Sequence, residues 1–335
     1  MRIGLAYDLQ THPQDARQAE FDPPATLDAL CGALTELGHD PVRFGSAREM
    51  LAHPPAPGGV DLVLSIAEGA SARCREAWVP TLLDLWQIPY VGSDALALAL
   101  GLDKAASKRL AKAAGVATPR WITLNSLSEF PADFPLTFPV IVKPRYEGSG
   151  MGIDPGAVVS TMAAVRARVA WLLEQMREWQ RDGAVRSGDL TTLLPEPVLI
   201  EEFIPGGELT VLLVGNDPPR AYPAIQRAVD TASQLASHVS PKAPSLATPL
   251  ALDAAVERRA RDAALAVFDT LGCSDMARVD LRVDTKGAVW FLEINPLPSF
   301  DPQGTIGWMA ECDGRTYAQL VGEILTATAQ RLARA

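Results

Sequence analysis

Residues 277 to 295 read Ala277-Arg-Val-Asp-Leu-Arg-Val-Asp284, then Thr285-Lys-Gly287, then Ala288-Val-Trp-Phe-Leu-Glu-Ile-Asn295. The first run alternates apolar and charged residues, which is the period of a half-buried β-strand. The second run is apolar except for Glu293 and Asn295, which are two residues apart and share a face. The Lys286-Gly287 pair between the runs favours a tight hairpin, because glycine accepts a positive φ.

A two-residue turn predicts how the two strands of this hairpin pair. It places Thr285 opposite Ala288, Asp280 opposite Glu293, and Arg278 opposite Asn295. Two opposed carboxylates repel each other, and burying them is unfavourable unless a cation lies between them. Oxygen ligands of this kind suit Mg²⁺ together with phosphate oxygens. The alternative is a solvent-facing hairpin whose charges neutralise each other, or a register that is shifted by one residue.

Composition restricts the class of protein. The chain has 335 residues, 48% of them hydrophobic, and a net charge of −10, which predicts two or three folded domains. An acidic chain is unsuited to binding nucleic acid or anionic membranes through bulk charge. The four cysteines lie far apart, which favours reduced thiols over a zinc site. The start of the chain reads as a strand and no apolar run reaches membrane-spanning length, so we expect a cytoplasmic protein.

Strand and helix signals alternate from residue 2 to residue 91, with a last strand expected at residues 88–91. This alternation predicts an open parallel sheet. The first strand is not followed by G-x-G-x-x-G, which argues against a dinucleotide-binding fingerprint. Further along, Asp103 is a candidate N-cap for a helix that starts at Lys104. The stretch 228–250 lacks clear periodicity, and loops of this length are often lids.

Two segments suit a nucleotide. The glycine-rich run 148–152 follows a strand that carries Lys143, so its backbone N–H groups and that ammonium can approach one anion. A second segment, Glu201-Glu-Phe-Ile204, precedes Gly206-Gly-Glu208, and could read an adenine edge and the ribose hydroxyls. Taken singly, the first segment also fits a plain strand–helix connection, and the second fits a solvated strand end.

Together, these motifs resemble the ATP-grasp superfamily, and within it the D-alanine:D-alanine ligase group, over nearly the whole chain. The matching elements are Ile88-Pro-Tyr-Val-Gly-Ser-Asp94, Leu100-Gly-Leu-Asp-Lys104, Glu147-Gly-Ser-Gly-Met-Gly152 and Leu292-Glu-Ile-Asn-Pro296. The resemblance implies an α+β ATP-grasp fold with an α/β N-terminal domain at 1–102, a central domain at 103–195 and a C-terminal domain with the metal site at 196–335. ATP would lie between the last two.

The resemblance also implies roles for individual residues. The implied ATP-binding residues are Lys104, Lys143, Glu147, Gly148, Ser149, Gly150, Glu201, Glu202, Phe203, Ile204, Glu208 and Leu292. Asp280, Glu293 and Asn295 would hold two Mg²⁺ ions, with Mn²⁺ as an alternative metal. Arg278 and Ser149 would be catalytic. In the implied reaction, a carboxylate attacks the γ-phosphate of ATP, which gives an acyl phosphate and ADP. An amine then attacks the acyl carbon, and phosphate leaves.

The chain departs from the family pattern where the amino-acid substrates would bind. The stretch Ile66–Glu76 replaces the family's H-G-x-x-G-E-D-G. Residues 298–304 read Pro298-Ser-Phe-Asp-Pro-Gln-Gly304, without the family serine that would hold the carboxylate of the second substrate. We therefore expect an altered acceptor site. Its candidate residues are Glu20, Arg73, Arg75, Ser299 and Gly304. Either Glu20 or Asp22 would be the carboxylate that orients the amino group of the first substrate. The two arginines would bind a substrate carboxylate; the alternative is that they are ordinary surface residues. In the 228–250 loop, Lys242 would replace the lysine that the family carries there.

The expected function is an ATP-dependent carboxylate–amine ligase that acts on amino acids or similar small molecules. A non-catalytic ATP-binding protein of the same fold is the alternative, and a member that stops at phosphoryl transfer is a third reading. Dimers are common in the resembled family, so a homodimer is a candidate state of this chain. Nucleic acid and membranes are not expected partners.

Overall fold

A computed structural model describes residues 1–70, 72–181, 194–230, 232–236 and 253–334 of the chain. These ranges form three β-sheets with helices packed against them. The strands are β1 Arg2–Tyr7, β2 Asp40–Gly45, β3 Leu62–Ile66, β4 Trp121–Leu124, β5 Val140–Pro144, β6 Val158–Val159, β7 Val198–Glu202, β8 Gly206–Val214, β9 Arg220–Ala221, β10 Ile225–Arg227, β11 Met276–Asp284 and β12 Val289–Asn295. The α-helices are α1 Pro24–Glu36, α2 Ala47–Ala52, α3 Trp78–Trp86, α4 Ala95–Leu102, α5 Lys104–Ala113, α6 Met162–Arg181, α7 Ala254–Leu271, α8 Thr305–Cys312 and α9 Tyr317–Leu332.

The N-terminal sheet is parallel, with the order β2-β1-β3, as the alternation of strand and helix signals predicts. Sequence reasoning missed strand β2 and helix α2, although Ser46 and Glu49 form a capping box at the start of α2. The strand expected at residues 88–91 is reduced to one parallel bridge between Val63 and Tyr90. Helix α1 ends before Gly38, which has a φ of 80° and reverses the chain.

The central sheet is antiparallel, with the order β4-β7-β5-β6. Helix α6 covers one face and buries Val165, Val169 and Leu172 against Val140 and Val142. The segments 1–102, 103–195 and 196–335 remain a proposal for the domain limits. Strand β7 follows the last limit in sequence but pairs with β4 and β5. The sheets therefore favour a boundary between Glu202 and Gly206.

The C-terminal sheet has the order β10-β8-β11-β12, with β9 beside β8. As predicted, Asp280 pairs with Glu293 and Arg278 with Asn295. The predicted turn is wrong, because Asp284 rather than Thr285 lies opposite Ala288 and donates its N–H to it at 3.0 Å. The loop is the three residues 285–287, closed by Gly287 with a φ of 78°.

A β-bulge in β12 restores the register that the longer turn would have shifted. Leu281 pairs with Phe291 while Asp280 pairs with Glu293, so Leu292 is the extra residue. Phe291 and Ile294 are buried in the core, three positions apart instead of two. The bulge therefore brings Leu292 and Glu293, which are consecutive, to the same cavity wall.

The N-terminal and C-terminal sheets share one hydrophobic core. Leu5 and Leu64 of the first sheet belong to the same buried cluster as Leu212 and Val214 of β8, with α9 packed between them. Helix α5 packs in a second core through Ala111, against α7 and the hairpin. Among the described residues, no helix is long and apolar enough to span a bilayer.

Candidate active site

A cavity of about 510 Å³ lies where the three sheets approach each other, a size that suits a small-molecule site. Its wall contains most of the residues that the sequence singles out. These are Glu20, Lys104, Lys143, Gly148, Ser149, Gly150, Glu201, Glu202, Phe203, Ile204, Glu208, Arg278, Asp280, Leu292, Glu293, Asn295, Ser299 and Gly304. Glu147, Arg73 and Arg75 are not part of the described wall.

The hairpin β11–β12 supplies three oxygen-bearing side chains to one wall. Asp280 accepts hydrogen bonds from Thr210 Oγ1 at 2.8 Å and from Arg278 Nε at 3.0 Å. Asn295 Oδ1 accepts from the N–H of Leu297 at 2.9 Å, which fixes the orientation of its amide. Two carboxylates and one amide oxygen are hard ligands of the kind that Mg²⁺ takes alongside phosphate oxygens. The donor set therefore fits Mg²⁺.

Glu293 is surrounded by positive charge. Its Oε2 lies 3.1 Å from Lys104 Nζ. Burial raises the pKa of Glu293, but the charges of Lys104, Lys143 and Arg278 outweigh burial and lower that pKa to about 2. The carboxylate is therefore ionised at neutral pH and available to a divalent cation.

A buried carboxylate joins two lysines on the opposite wall. Glu201 Oε1 lies 2.5 Å from Lys143 Nζ, and Glu201 Oε2 lies 2.7 Å from Lys108 Nζ. Burial raises the pKa of Glu201, yet the two lysines lower it below its usual value. Burial also lowers the pKa of Lys108 to about 8 despite the attraction of Glu201. Lys143 faces the cavity, whereas Lys108 supports the pair from behind, beside Thr118.

The glycine-rich loop between β5 and the 3₁₀ turn Pro155–Ala157 lies over the cavity. Ser149, Gly150 and Gly152 all have positive φ values, of 47°, 72° and 67°. Consecutive backbone reversals of this kind turn N–H groups toward one side, as in anion-binding nests. Lys104 Nζ donates to the carbonyl of Glu147 at 2.6 Å, so the lysine at the start of α5 holds the loop.

Glu208 and Phe203 stand at the far end of the cavity, next to Arg282. The guanidinium of Arg282 lies 4.7 Å from the centre of the Phe203 ring and 3.8 Å from Glu208 Oε2. Burial lowers the pKa of Arg282, although Glu208 and Glu201 oppose the shift. Arg282 also donates to the carbonyl of Gly206 at 3.0 Å, which fixes the turn between β7 and β8.

The two predicted substrate arginines are placed differently from the expectation. Arg75 is buried and donates to Glu20 at 2.5 Å and to the carbonyl of Tyr146 at 2.8 Å, with Glu147 at 3.2 Å. Arg73 is half exposed and lies 3.5 Å from Asp103. Reading of a substrate carboxylate by either arginine stays a prediction, which this geometry does not favour.

Glu20 links the N-terminal region to the glycine-rich loop. Its Oε1 accepts from the N–H of Gly148 at 2.5 Å, while its Oε2 is bound by Arg75. On the neighbouring wall, Ser299 donates to Asp22 at 3.0 Å. Burial, with a contribution from Asp301, raises the pKa of Asp22 to about 6 although the Ser299 hydrogen bond opposes the shift. Lys242 and most of the 228–250 loop lie outside the described residues.

Several residues of the site were missed by sequence reasoning. Lys108 lies one helical turn after Lys104, and this i, i+4 spacing was the available signal. Arg282 follows Arg278 and Asp280 on the polar face of β11, so alternation alone could have found it. Glu76 comes from a 3₁₀ turn at Arg75–Ala77, and no periodic pattern predicts that it faces the cavity.

Comparison with known proteins agrees with this geometry. A family profile described as the D-ala D-ala ligase C-terminus matches residues 191–326. The D-alanine–D-alanine ligase of Cupriavidus taiwanensis is 30% identical over 303 residues, which cover 90% of this chain and 85% of that one. An uncharacterised protein of Sinorhizobium fredii, y4sG, is 28% identical over 316 residues, covering 91% of this chain and 87% of the relative.

Solved structures show the same fold. The D-alanine–D-alanine ligase of Bacillus anthracis, in complex with ATP, has a TM-score of 0.73 at 21% identity, covering 100% of this chain and 99% of that one. The VanG D-Ala:D-Ser ligase of Enterococcus faecalis has a TM-score of 0.69 at 19% identity, covering 98% and 99%. The predicted ATP-grasp fold is confirmed, and the chain belongs to the D-alanine–D-alanine ligase family.

Proposed function

We propose that this chain is an ATP-dependent carboxylate–amine ligase that acts on amino acids or similar small molecules through an acyl phosphate. The observation that carries the proposal is the pairing of Asp280 with Glu293 on a cavity wall that also holds Arg278, Lys104 and Lys143. Two carboxylates held together among three cations suit a site where divalent metal and phosphate meet.

ATP would lie between the glycine-rich loop and the hairpin. Lys104 and Lys143 would bind its phosphates with the N–H groups around Ser149, and Gly148 and Gly150 would let the phosphates approach closely. The backbone of Glu201 to Ile204 and the side chain of Leu292 would contact the adenine, while Glu208 would accept the ribose hydroxyls. Glu147 acts indirectly, because its carbonyl binds Lys104 and its carboxylate binds Arg75.

Asp280, Glu293 and Asn295 would hold the metal, which we propose is Mg²⁺, as two ions, with Mn²⁺ as a substitute. When bound, Mg²⁺ would neutralise phosphate charge and orient the γ-phosphate for in-line attack. Arg278 lies beside Asp280 at 2.9 Å, so its guanidinium can turn from that carboxylate toward negative charge that develops on the acyl group. Ser149 would close over the phosphates from the loop.

Hydroxylamine trapping tests the proposal. The protein is incubated with ATP, Mg²⁺, hydroxylamine and pooled amino acids, and an active ligase gives an amino-acid hydroxamate and ADP. Glu293→Gln should abolish both products, because an amide is a weaker metal ligand and lacks the charge that Lys104 balances. Glu311→Gln, an exposed change on α8, is the control.

Binding of ATP without hydroxamate from any amino acid would instead support a non-catalytic ATP-binding protein. ADP release without acyl transfer would support phosphoryl transfer alone. A cytoplasmic location, a homodimer and the absence of nucleic-acid binding stay predictions.

A further inference from the structure

The N-terminal end of the cavity holds more carboxyl groups than cations. Glu20, Glu68 and Glu76 line this end, and Glu147 lies just behind it. Arg75 is the cation in their midst, and it is engaged by Glu20 at 2.5 Å and by Glu147 at 3.2 Å. The neighbouring cations are engaged as well, since Lys104 pairs with Glu293 and Arg278 with Asp280.

Glu76 is the decisive residue, because it is only 5% exposed and yet faces the cavity. Its Oε2 is buried and has no hydrogen-bond partner within the described ranges. Glu68 lines the same end, where Arg75 and Arg278 attract it, but it makes no direct salt bridge to a residue that the structure describes. Native proteins rarely leave a buried carboxyl oxygen unpaired, so Glu76 lacks a partner, and the cavity that Glu76 lines is where one could bind.

The chemistry of the missing partner follows from its surroundings. A metal ion is not favoured, because the guanidinium of Arg75 already lies among these carboxyl groups, bound to Glu20 and Glu147, and would repel a second cation next to it. Water could bond Glu76 but carries no charge that would favour its ionised form. In the protein alone, burial and the nearby carboxylates raise the pKa of Glu76 to about 8, although Arg75 opposes the shift, so Glu76 is mostly protonated at neutral pH. The pKa of Glu68 is raised for the same reasons. An organic cation would supply both donors and charge.

We infer that this ligase takes a substrate with a second ammonium group, as in a diamino acid, and that Glu68 and Glu76 bind that group. The inference rests on the proposed ligase function. One α-ammonium, as in alanine, would balance one of the two unpaired carboxylates. A second ammonium would balance the other. The sequence departure at Ile66–Glu76 is thereby explained as a change from a neutral to a cationic substrate.

Calorimetry on the full chain with Mg²⁺ and a non-hydrolysable ATP analogue tests the inference. Ornithine is compared with norvaline, which has the same carbon chain without the side-chain amine, using both stereoisomers of each. Ornithine should bind about tenfold or more tightly. Glu76→Gln and Glu68→Gln should each reduce that ratio, whereas the exposed Glu174→Gln should leave it unchanged. Equal affinities of ornithine and norvaline, or a ratio unchanged in both glutamine variants, would overturn the inference.

The glutamate variants are first checked for folding by their binding of the ATP analogue. Glu68 is less buried than Glu76, so Glu68→Gln keeps the test decisive if Glu76→Gln does not fold. Failures of the two proposals are distinguishable. Formation of hydroxamate from neutral amino acids, without binding of ornithine, would contradict only the proposed site for a second ammonium group. If the two variants weaken ornithine binding but no amino acid gives hydroxamate, only the proposed ligase function is contradicted.

Discussion

Glu201 Oε1 lies 2.5 Å from Lys143 Nζ in the interior of the protein, and the ion pair joins β7 to β5. Lys108 approaches the other oxygen of Glu201 from α5. The two lysines differ in one respect: Lys143 lines the cavity and Lys108 is fully buried. Glu201 thus sets the position of a proposed phosphate ligand, and Lys108 binds the carboxylate oxygen of Glu201 that Lys143 does not contact.

This difference predicts separate effects of two substitutions. Lys143→Met removes a charge-assisted contact to phosphate, worth about 1.5–3 kcal/mol, so KM for ATP should rise about 10- to 100-fold. Lys108→Met should leave KM for ATP within about threefold and lower the free energy of unfolding by about 1–3 kcal/mol. Steady-state kinetics and urea denaturation measure the two quantities. Lys112→Met, exposed one turn further along α5, is the control. A large KM effect from Lys108→Met alone would contradict the assignment.

The paired carboxylates of the hairpin predict a shifted metal requirement. Asp280→Asn and Glu293→Gln should each lower kcat/KM by about 10²-fold or more and raise the Mg²⁺ concentration for half-maximal activity. Magnesium titration of ATP turnover in each variant is the measurement. Glu311→Gln should match the wild type. If the half-maximal concentration stays constant while activity falls, these carboxylates do not hold the metal.

Asp22 predicts a dependence of stability on pH. Its carboxyl is buried beside Ser299 and Asp301, and its pKa rises from 3.8 to about 6, a difference that corresponds to about 3 kcal/mol. Between pH 4 and pH 6 the folded state holds the proton more tightly than the unfolded chain, so this contribution to stability is present below pH 4 and is lost as the pH rises through 6.

Asp22→Asn removes the titration and retains an acceptor for Ser299. The variant should therefore gain stability over the wild type as the pH rises from 4 to 7, by up to about 3 kcal/mol. Melting temperatures across this range test the prediction, with the exposed Asp133→Asn as the matched control. A constant difference between Asp22→Asn and the wild type would contradict the raised pKa.

The sequence predicts the hairpin pairing correctly through two errors that cancel. The turn is one residue longer than expected, and the bulge at Leu292 adds one residue to the other strand. Bulges leave no reliable mark in an apolar run, because Trp290, Phe291 and Leu292 are equally suited to any β position. The turn alone predicts that Asp280 lies opposite Glu293, and this prediction is correct only because the bulge compensates for the error in the turn.

The nucleotide end of the cavity was predictable because its residues lie in short local motifs. The acceptor end was not, because Glu20, Arg75 and Gly148 come from three distant segments and meet only in the fold. From the sequence alone, the positive charge of Arg75 is expected to be available to a ligand. The structure shows that Arg75 is already paired with Glu20 and Glu147, so this end of the cavity presents carboxyl groups to a ligand instead of a cation.

The last prediction concerns Arg331 and Asp275, which fasten α9 to the hairpin. Asp275 is fully buried, and Arg331 donates to its two oxygens at 2.9 and 2.7 Å. Burial raises the pKa of Asp275, but the hydrogen bonds from Arg331 and other donors outweigh burial and lower it. The resulting stability is present above pH 4 and is lost as the pH falls further.

Arg331→Met removes the charge that balances Asp275, and breaking a buried pair from one side costs about 3–5 kcal/mol. Urea denaturation at pH 7 should show a loss of this size, while KM for ATP of the folded protein should stay unchanged, because neither residue lines the described cavity wall. The exposed Arg334→Met is the control. Asp275→Asn combined with Arg331→Met should recover part of the loss, since the double variant leaves no unpaired charge. A double variant less stable than Arg331→Met alone would show that the hydrogen bonds of Asp275 to its neighbours, rather than the ion pair, hold α9 in place.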